Sequence, residues 1–205
     1  MDRDSVERPV ALPPEIDAVR AVLRELDAPW AVAGGWAIDL ALGRVTRAHG
    51  DVDVAVFRED QQALRAALPG WDFAAVVGGR MTPWERGARL EPPVHEVHAR
   101  SPTGAPPFGL ELLLNERDGA DWVYRRDPAV RLPLARAIRP GPGGVRVLAP
   151  EVVLLYKSKV PRPADEADFL TALPLLDREA RTWLRAALLR ARPDHPWAAA
   201  LAPRA

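Results

Sequence analysis

The sequence predicts an α+β fold, with a mixed β-sheet and flanking helices over residues 1–149 and a helical subdomain over residues 150–205. Three observations lead there. Residues 51–57 alternate strictly, which puts Asp51, Asp53 and Ala55 on one face of a strand and Val52, Val54 and Val56 on the other. The pair Gly34-Gly35 separates a strand-like run from a helix-like one. From Pro150 onward the apolar spacing becomes that of helices.

Taken in order, Ile16, Val19, Leu23 and Leu26 recur at helical spacing after Pro13-Pro14 and predict an amphipathic helix over residues 15–27. Residues 30–33 read as a short strand, and residues 36–42 as a helix stopped by Gly43. After the alternating strand come a helix over 59–68, a strand over 71–77 and an irregular excursion over 78–93. Strands over 94–99 and 108–115 flank the turn-rich 101–107, and residues 122–124 and 145–148 read as short strands around a Pro- and Gly-rich connection. Helices follow over 150–159, 164–173 and 177–191, the last with Asp177 as N-cap, and residues 193–205 read as a loosely packed tail.

Composition narrows the chemistry. Lys and Arg number 28 and so do Asp and Glu, so no global positive field exists to hold a long nucleic acid. The absence of cysteine excludes disulfides, thiolate nucleophiles and cysteine-bound metals, leaving oxygen and imidazole as metal ligands. No apolar run approaches the roughly 18 residues of a membrane span, and the charged start Met1-Asp2-Arg3-Asp4 does not resemble a signal peptide, so a cytoplasmic protein is expected. Only Lys157 and Lys159 among the 28 basic residues are lysines.

Two carboxylates two residues apart on a strand point the same way and converge on one divalent cation. An isolated Asp-x-Asp is more often a solvated strand face, but Asp51 and Asp53 keep telling company. Gly34-Gly35 lies where small residues let backbone N–H groups and a helix N-terminus approach a phosphate, although a glycine pair is also an ordinary tight turn. His49 orients Asp51 or its loop, or is solvated. His95 and His98 fall on opposite strand faces and do not share an ion. Asp165, Glu166 and Asp168 read as a solvated helix face in preference to a site for a cationic acceptor.

The stretch Gly34-Gly35-Trp36-Ala37-Ile38-Asp39-Leu40, then Leu42-Gly43-Arg44, Thr46-Arg47, His49, Asp51 and Asp53-Val54, resembles the signature of the polymerase-beta-like nucleotidyltransferases. Within them it is most similar to the aminoglycoside and lincosamide branch. Further similarity lies in residues 112–119, Trp122-Val123, Arg125-Arg126-Asp127, Pro150-Glu151, 154–157 and 165–169. The family often carries a lysine where this chain has Ala164, which shifts attention to Lys157 as a phosphate contact.

The resemblance implies a reaction in which an acceptor hydroxyl attacks the α-phosphorus of ATP or another nucleoside triphosphate and pyrophosphate leaves. It implies Mg2+ on Asp51 and Asp53, and nucleotide contacts from Gly34, Gly35, Trp36, His49 and Lys157. A third carboxylate normally sits on a neighbouring strand. Glu111 is expected there, because alternation sends Leu110, Leu112 and Leu114 into the core and Glu111 the other way, with Glu116 and Glu96 as the remaining choices. The expected partners are a nucleoside triphosphate and a small hydroxylated acceptor, an aminoglycoside or lincosamide by resemblance. The competing readings are a non-catalytic nucleotide-binding or antitoxin-like regulatory module and an Asp-x-Asp glycosyltransferase.

Overall fold

Pro13 caps the first helix without a side-chain hydrogen bond, and Pro14 opens it: α1 spans Pro14–Val22. It is shorter than the apolar spacing suggests, yet Leu23 and Leu26 beyond its end still point inward. The computed structural model describes residues 12–104 and 106–203. The charged start of the chain therefore lies outside the described residues.

Strand β1 (Trp30–Val32) runs directly into α2 (Gly34–Leu42), so the glycine pair forms the first turn of the helix and not a turn before it. Gly43 ends α2 in the left-handed conformation, with φ of 71°, a geometry that costs a side-chain-free residue little. Strand β2 covers Asp53–Phe57, and Asp51 lies in the bend before it. A short 3-10 turn leads to α3 (Gln61–Ala67) and β3 (Asp72–Val77).

The excursion expected over 78–93 instead begins with a strand, β4 (Arg80–Pro83), paired to β3 so that Val77 faces Arg80. Gly78 and Gly79 have φ of 55° and 77°, the two successive positive values of the tight hairpin turn that matches strand twist. Strands β5 (Glu96–Arg100) and β6 (Gly109–Asp118) form the next hairpin. The far end of β6 pairs with β7 (Asp121–Val123), which pairs with β8 (Arg131–Pro133). Then come α4 (Leu134–Ala137), β9 (Ile138–Pro140) and β10 (Arg146–Leu148). The sequence had indicated β5, β6, β7 and β10, but not β4, β8, α4 or β9.

The sheet order is β4-β3-β5-β6-β2-β1-β10-β9, with β2–β6 and β1–β10 parallel and the other pairs antiparallel. Val52, Val54 and Val56 are buried as the alternation required, but Ala55 and Phe57 are buried too, because α2 and α3 pack on β2. From Pro150 the chain is helical: α5 (Pro150–Lys157), α6 (Pro163–Ala172), α7 (Arg178–Ala191) and α8 (Pro196–Ala200). Asp177 caps α7 by accepting from the Ala180 N–H at 2.8 Å. Helix α5 packs on α2, α6 and α7, which brings the helical part against the glycine end of the sheet.

The segment after 193 is not a loose tail. His195 accepts from the Trp197 N–H at 3.2 Å and donates to the Ser158 carbonyl at 3.0 Å, and Trp197 stacks on Phe169 with ring centroids 4.4 Å apart. Alternating polar and proline residues hid an aromatic anchor. Residues 204 and 205 lie outside the described residues.

Candidate active site

Asp53 is the first residue of β2, and the parallel register sets it opposite Glu111 of β6; on the other side of β6, Glu111 faces His98 of β5. Side chains in one cross-strand row share a face, so a carboxylate, a carboxylate and an imidazole stand side by side. Asp51 reaches the row from the preceding bend. One ligand oxygen from each of Asp51, Asp53 and Glu111 lies within 4.8 Å of the others. Glu96, two residues before His98, converges in the same way with His98 and Glu111, and its carboxylate takes a 3.0 Å hydrogen bond from the His98 Nε2. Glu116 is elsewhere, paired with Arg58 at 2.7 Å.

Crowding and burial show in the proton affinities. Burial, reinforced by the charge of Asp51, pushes the Asp53 carboxyl up to about 6. Burial and then Asp53, Glu96 and Asp51 push Glu111 up to about 7. A cation placed among these oxygens would relieve both, and a set of hard oxygen donors suits Mg2+.

The glycines are tied to this geometry in different ways. A Cβ on Gly34 would stand 1.7 Å from the Asp53 Oδ2, and φ there is 58°, so only glycine lets the start of α2 lie against Asp53. A Cβ on Gly35 would meet the Arg47 Nη2 at 2.2 Å and the His49 Cε1 at 2.6 Å. Gly34 lines the cleft beside Asp53, whereas Gly35 makes room for the loop that carries Arg47 and His49.

That loop is held from below. Asp39, buried on α2, accepts from the Thr46 N–H at 3.0 Å, the Thr46 hydroxyl at 2.5 Å and the His49 Nε2 at 2.7 Å. The His49 ring stacks on Trp36 at 4.3 Å. Arg47 donates to both oxygens of Asp168 on α6, at 3.1 Å each, locking the loop to the helical part across 121 residues of sequence. Trp36 and His49 are thus largely buried packing partners; they do not line the cleft of Gly34 and Asp53 but, with Asp51, line a second one.

The cleft measures about 480 Å3 and is lined by the acidic Asp53, Glu96 and Glu111 and by the basic Arg125, Lys157, Lys159 and Arg162. A second cleft of about 480 Å3, lined by Asp51, His98 and Phe108 among others, meets it at Glu111. Lys157 donates to Asp165 at 2.7 Å and pairs with Asp168 at 3.0 Å; an ammonium has three donors, so one remains for a ligand. Because α5 ends at Lys157, Lys159 sits in a turn, not on another helical face, and both lysines line the cleft.

Asp165 and Asp168 are buried and not a solvated face. Burial alone would raise both, yet hydrogen bonds from Arg162 and Lys157 hold Asp165, and from Arg47 and Lys157 hold Asp168, below the ordinary carboxylate range. The sequence reading missed this network, Arg125 and the Glu96–His98 pair. Within the Asp165–Asp168 network, only the Asp165–Arg162 contact, three residues apart, is local in sequence.

Together these elements are a nucleotidyltransferase-type α+β fold with a helical part docked beside its acidic row. The family model for aminoglycoside-2''-adenylyltransferase matches residues 15–82, a span that includes Asp51 and Asp53 but ends before Glu111. A 2''-aminoglycoside nucleotidyltransferase of Klebsiella pneumoniae is 39% identical over 67 residues, 33% of this chain and 34% of the relative. One from Escherichia coli is 38% identical over 66 residues, 32% and 34% of the two chains. The sequence match thus spans about a third of the curated relatives it reaches.

The fold likeness is longer. A crystal structure of ANT(2'')-Ia in complex with adenylyl-2''-tobramycin superposes with a TM-score of 0.58 at 21% identity, over 86% of this chain and 96% of the other. The lincomycin-bound lincosamide antibiotic adenylyltransferase LnuA gives 0.53 at 12% identity, over 81% and 99%. The resemblance to the aminoglycoside and lincosamide branch therefore holds in sequence around Gly34–Asp53 and in fold over most of the chain. Among the described residues, no helix is long and apolar enough to cross a membrane.

Proposed function

We propose that the protein transfers a nucleotidyl group, adenylyl by the names of its structural neighbours, from a nucleoside triphosphate to a hydroxyl of a small molecule. The observation that carries this reading is the convergence of Asp51, Asp53 and Glu111 beside the N-terminus of α2, at a cleft that Lys157 and Arg162 also line. Residues 1–149 would be the catalytic unit and 150–205 the helical subdomain that supplies Lys157.

Asp51 and Asp53 would hold Mg2+, since hard carboxylate oxygens converging on one centre fit that ion, with Glu111 close beside them. When bound, the ion would supply positive charge to offset the negative charge that develops as the α-phosphorus is attacked. Gly34 leaves the first turn of α2 open, so its N-terminus faces the polyphosphate. Lys157, steadied by Asp165 and Asp168, presents its remaining N–H to the same chain of phosphates. Glu111 stands where the two clefts meet, placed to accept the proton of an incoming hydroxyl. Trp36, His49 and Asp39 hold the loop bearing Asp51, so their part in nucleotide binding is indirect.

The relatives' names point to aminoglycosides and lincosamides as the first acceptors to try. The test incubates the protein with Mg2+, each nucleoside triphosphate and a panel of those and other hydroxylated compounds, and reads acceptor mass. A nucleotidyl adduct with release of pyrophosphate is expected. Triphosphate binding with no adduct on any acceptor would support a non-catalytic nucleotide-binding module instead.

A further inference from the structure

Arginines around the cleft are spoken for, with one exception. Arg58 donates to Glu116 at 2.7 Å and to the Leu90 and Val94 carbonyls, Arg162 pairs with Asp165, and Arg126 donates to the Tyr124 hydroxyl at 3.1 Å and the Tyr156 carbonyl at 3.2 Å. Arg125 lines the cleft half-buried and, among the described residues, makes no hydrogen bond or ion pair; its guanidinium lies 5.3 Å over the Tyr156 ring. No carboxylate is among the groups whose charge is felt at Arg125.

A partly desolvated guanidinium with no counter-ion is an unfavourable arrangement unless an anion arrives from outside. Burial and the neighbouring charges of Arg126 and Arg58 push this guanidinium below its ordinary proton affinity, against the pull of Tyr156 and Tyr124, a sign of how little anionic compensation the protein gives it. The ring beneath it is fixed. Tyr156 donates its hydroxyl to the Asn115 Oδ1 at 3.2 Å; the same oxygen accepts from the Trp122 Nε1 at 2.9 Å, and the Asn115 amide donates to the Leu113 carbonyl at 2.9 Å. Trp122 in turn meets Tyr156 edge-to-face at 5.9 Å. The guanidinium over this ring, which Arg126 also approaches at 5.4 Å, is a planar fork, the shape that grips two phosphate oxygens at once.

Its position says which part of a ligand it would meet. Lys157 and Arg162 are the cations felt at Asp53. Arg125 belongs to the Tyr156–Asn115 end of the cleft, and Asn115 lies four residues beyond Glu111 on β6, roughly 13 Å along the strand. We propose that Arg125, lying over Tyr156, anchors the terminal phosphates of the nucleoside triphosphate and hence the pyrophosphate that leaves. This rests on the nucleotidyl-transfer reading and adds a residue to it: Lys157 serves the phosphates near the acidic row, Arg125 the far end.

The test is calorimetric titration of the full chain with Mg2+ and, separately, inorganic pyrophosphate, a non-hydrolysable ATP analogue and AMP, in wild type, Arg125→Ala and Arg125→Lys. Arg125→Ala should weaken pyrophosphate and the ATP analogue on the order of ten- to a hundredfold, the range of a lost charge-assisted hydrogen-bond pair, while AMP changes less than about twofold. Arg125→Lys, which keeps the charge but not the fork, should fall between. Melting temperatures establish that each variant is folded; if the alanine variant is not, the ratio of pyrophosphate to AMP affinity in the lysine variant decides. Unchanged pyrophosphate affinity, or an equal loss for AMP and pyrophosphate, overturns the assignment. Wild type that binds neither the ATP analogue nor pyrophosphate overturns the nucleotidyl-transfer reading as well, which separates the two failures.

Discussion

Asp53 and Glu111 are direct cross-strand partners on the parallel neighbours β2 and β6. Burial raises the proton affinity of both; Asp53 raises that of Glu111 further, while Asp51 and Glu96 are the carboxylates that raise that of Asp53. Replacing Asp53 by Asn should therefore leave the metal-free protein folded with an unchanged or higher melting temperature, while removing stabilisation by Mg2+ and all Mg2+-dependent turnover. Scanning calorimetry with and without Mg2+ checks the first part, and wild-type turnover in the variant would sink the assignment of the site.

The same pair sets a pH dependence. Folded values of about 6 for Asp53 and about 7 for Glu111 lie above the ordinary 3.8 and 4.5, so between those limits the native state holds protons that the unfolded chain has released. Their contribution to stability is complete below the ordinary values and is lost as pH rises through 6 to 7. Metal-free protein should thus lose melting temperature from pH 4.5 to 7.5, and Glu111→Gln should flatten that loss. Added Mg2+ should stabilise most at the upper end of the range. An equal slope in wild type and Glu111→Gln would contradict this.

Gly34→Ala is expected to be worse than its size suggests. The new methyl would overlap the Asp53 carboxylate and force a left-handed backbone on alanine, a cost of about 1–3 kcal/mol, and Mg2+ binding should fail with it. Gly35→Val should act through the loop, displacing Arg47 and His49. Its signature would be lost thermal stability together with weakened Mg2+ binding, and an unchanged protein on both measures would refute the packing role.

Lys157→Ala carries two effects that must be separated. Removing the ammonium leaves Asp165 to Arg162 and Asp168 to Arg47, so a moderate destabilisation of about 1–3 kcal/mol is expected from the weakened buried pairs. Triphosphate affinity should also fall, measured where the variant is fully folded. Lys159→Ala should leave stability unchanged, since its exposed side chain joins no such network. Greater loss of triphosphate affinity in Lys159→Ala would show that the other lysine is the contact.

Much of this was legible in the chain. Alternation over 51–57 and around Glu111 located two strand faces, and the parallel register that joins them follows from burying Val54, Val56, Leu112 and Leu114 in one core. What escaped has physical causes. The β3–β4 hairpin is fully exposed along β4, so no apolar period marks it, and only Gly78-Gly79 signalled the turn. Asp165 and Asp168 looked solvated because acidic residues usually are; their burial depends on Arg47, far away in sequence. Arg125 was hidden in a composition rich in arginine, and it stands out only once Arg126 and Arg162, the other arginines lining the same cleft, have found their partners.

The most direct test is pyrophosphate release by Glu111→Gln against wild type, with the same acceptor and Mg2+, alongside nucleotide affinity measured separately. If Glu111 takes the proton of the attacking hydroxyl beside Asp51 and Asp53, turnover should fall by a factor on the order of 10² or more while triphosphate affinity changes little. Full turnover in the Gln variant would contradict the account.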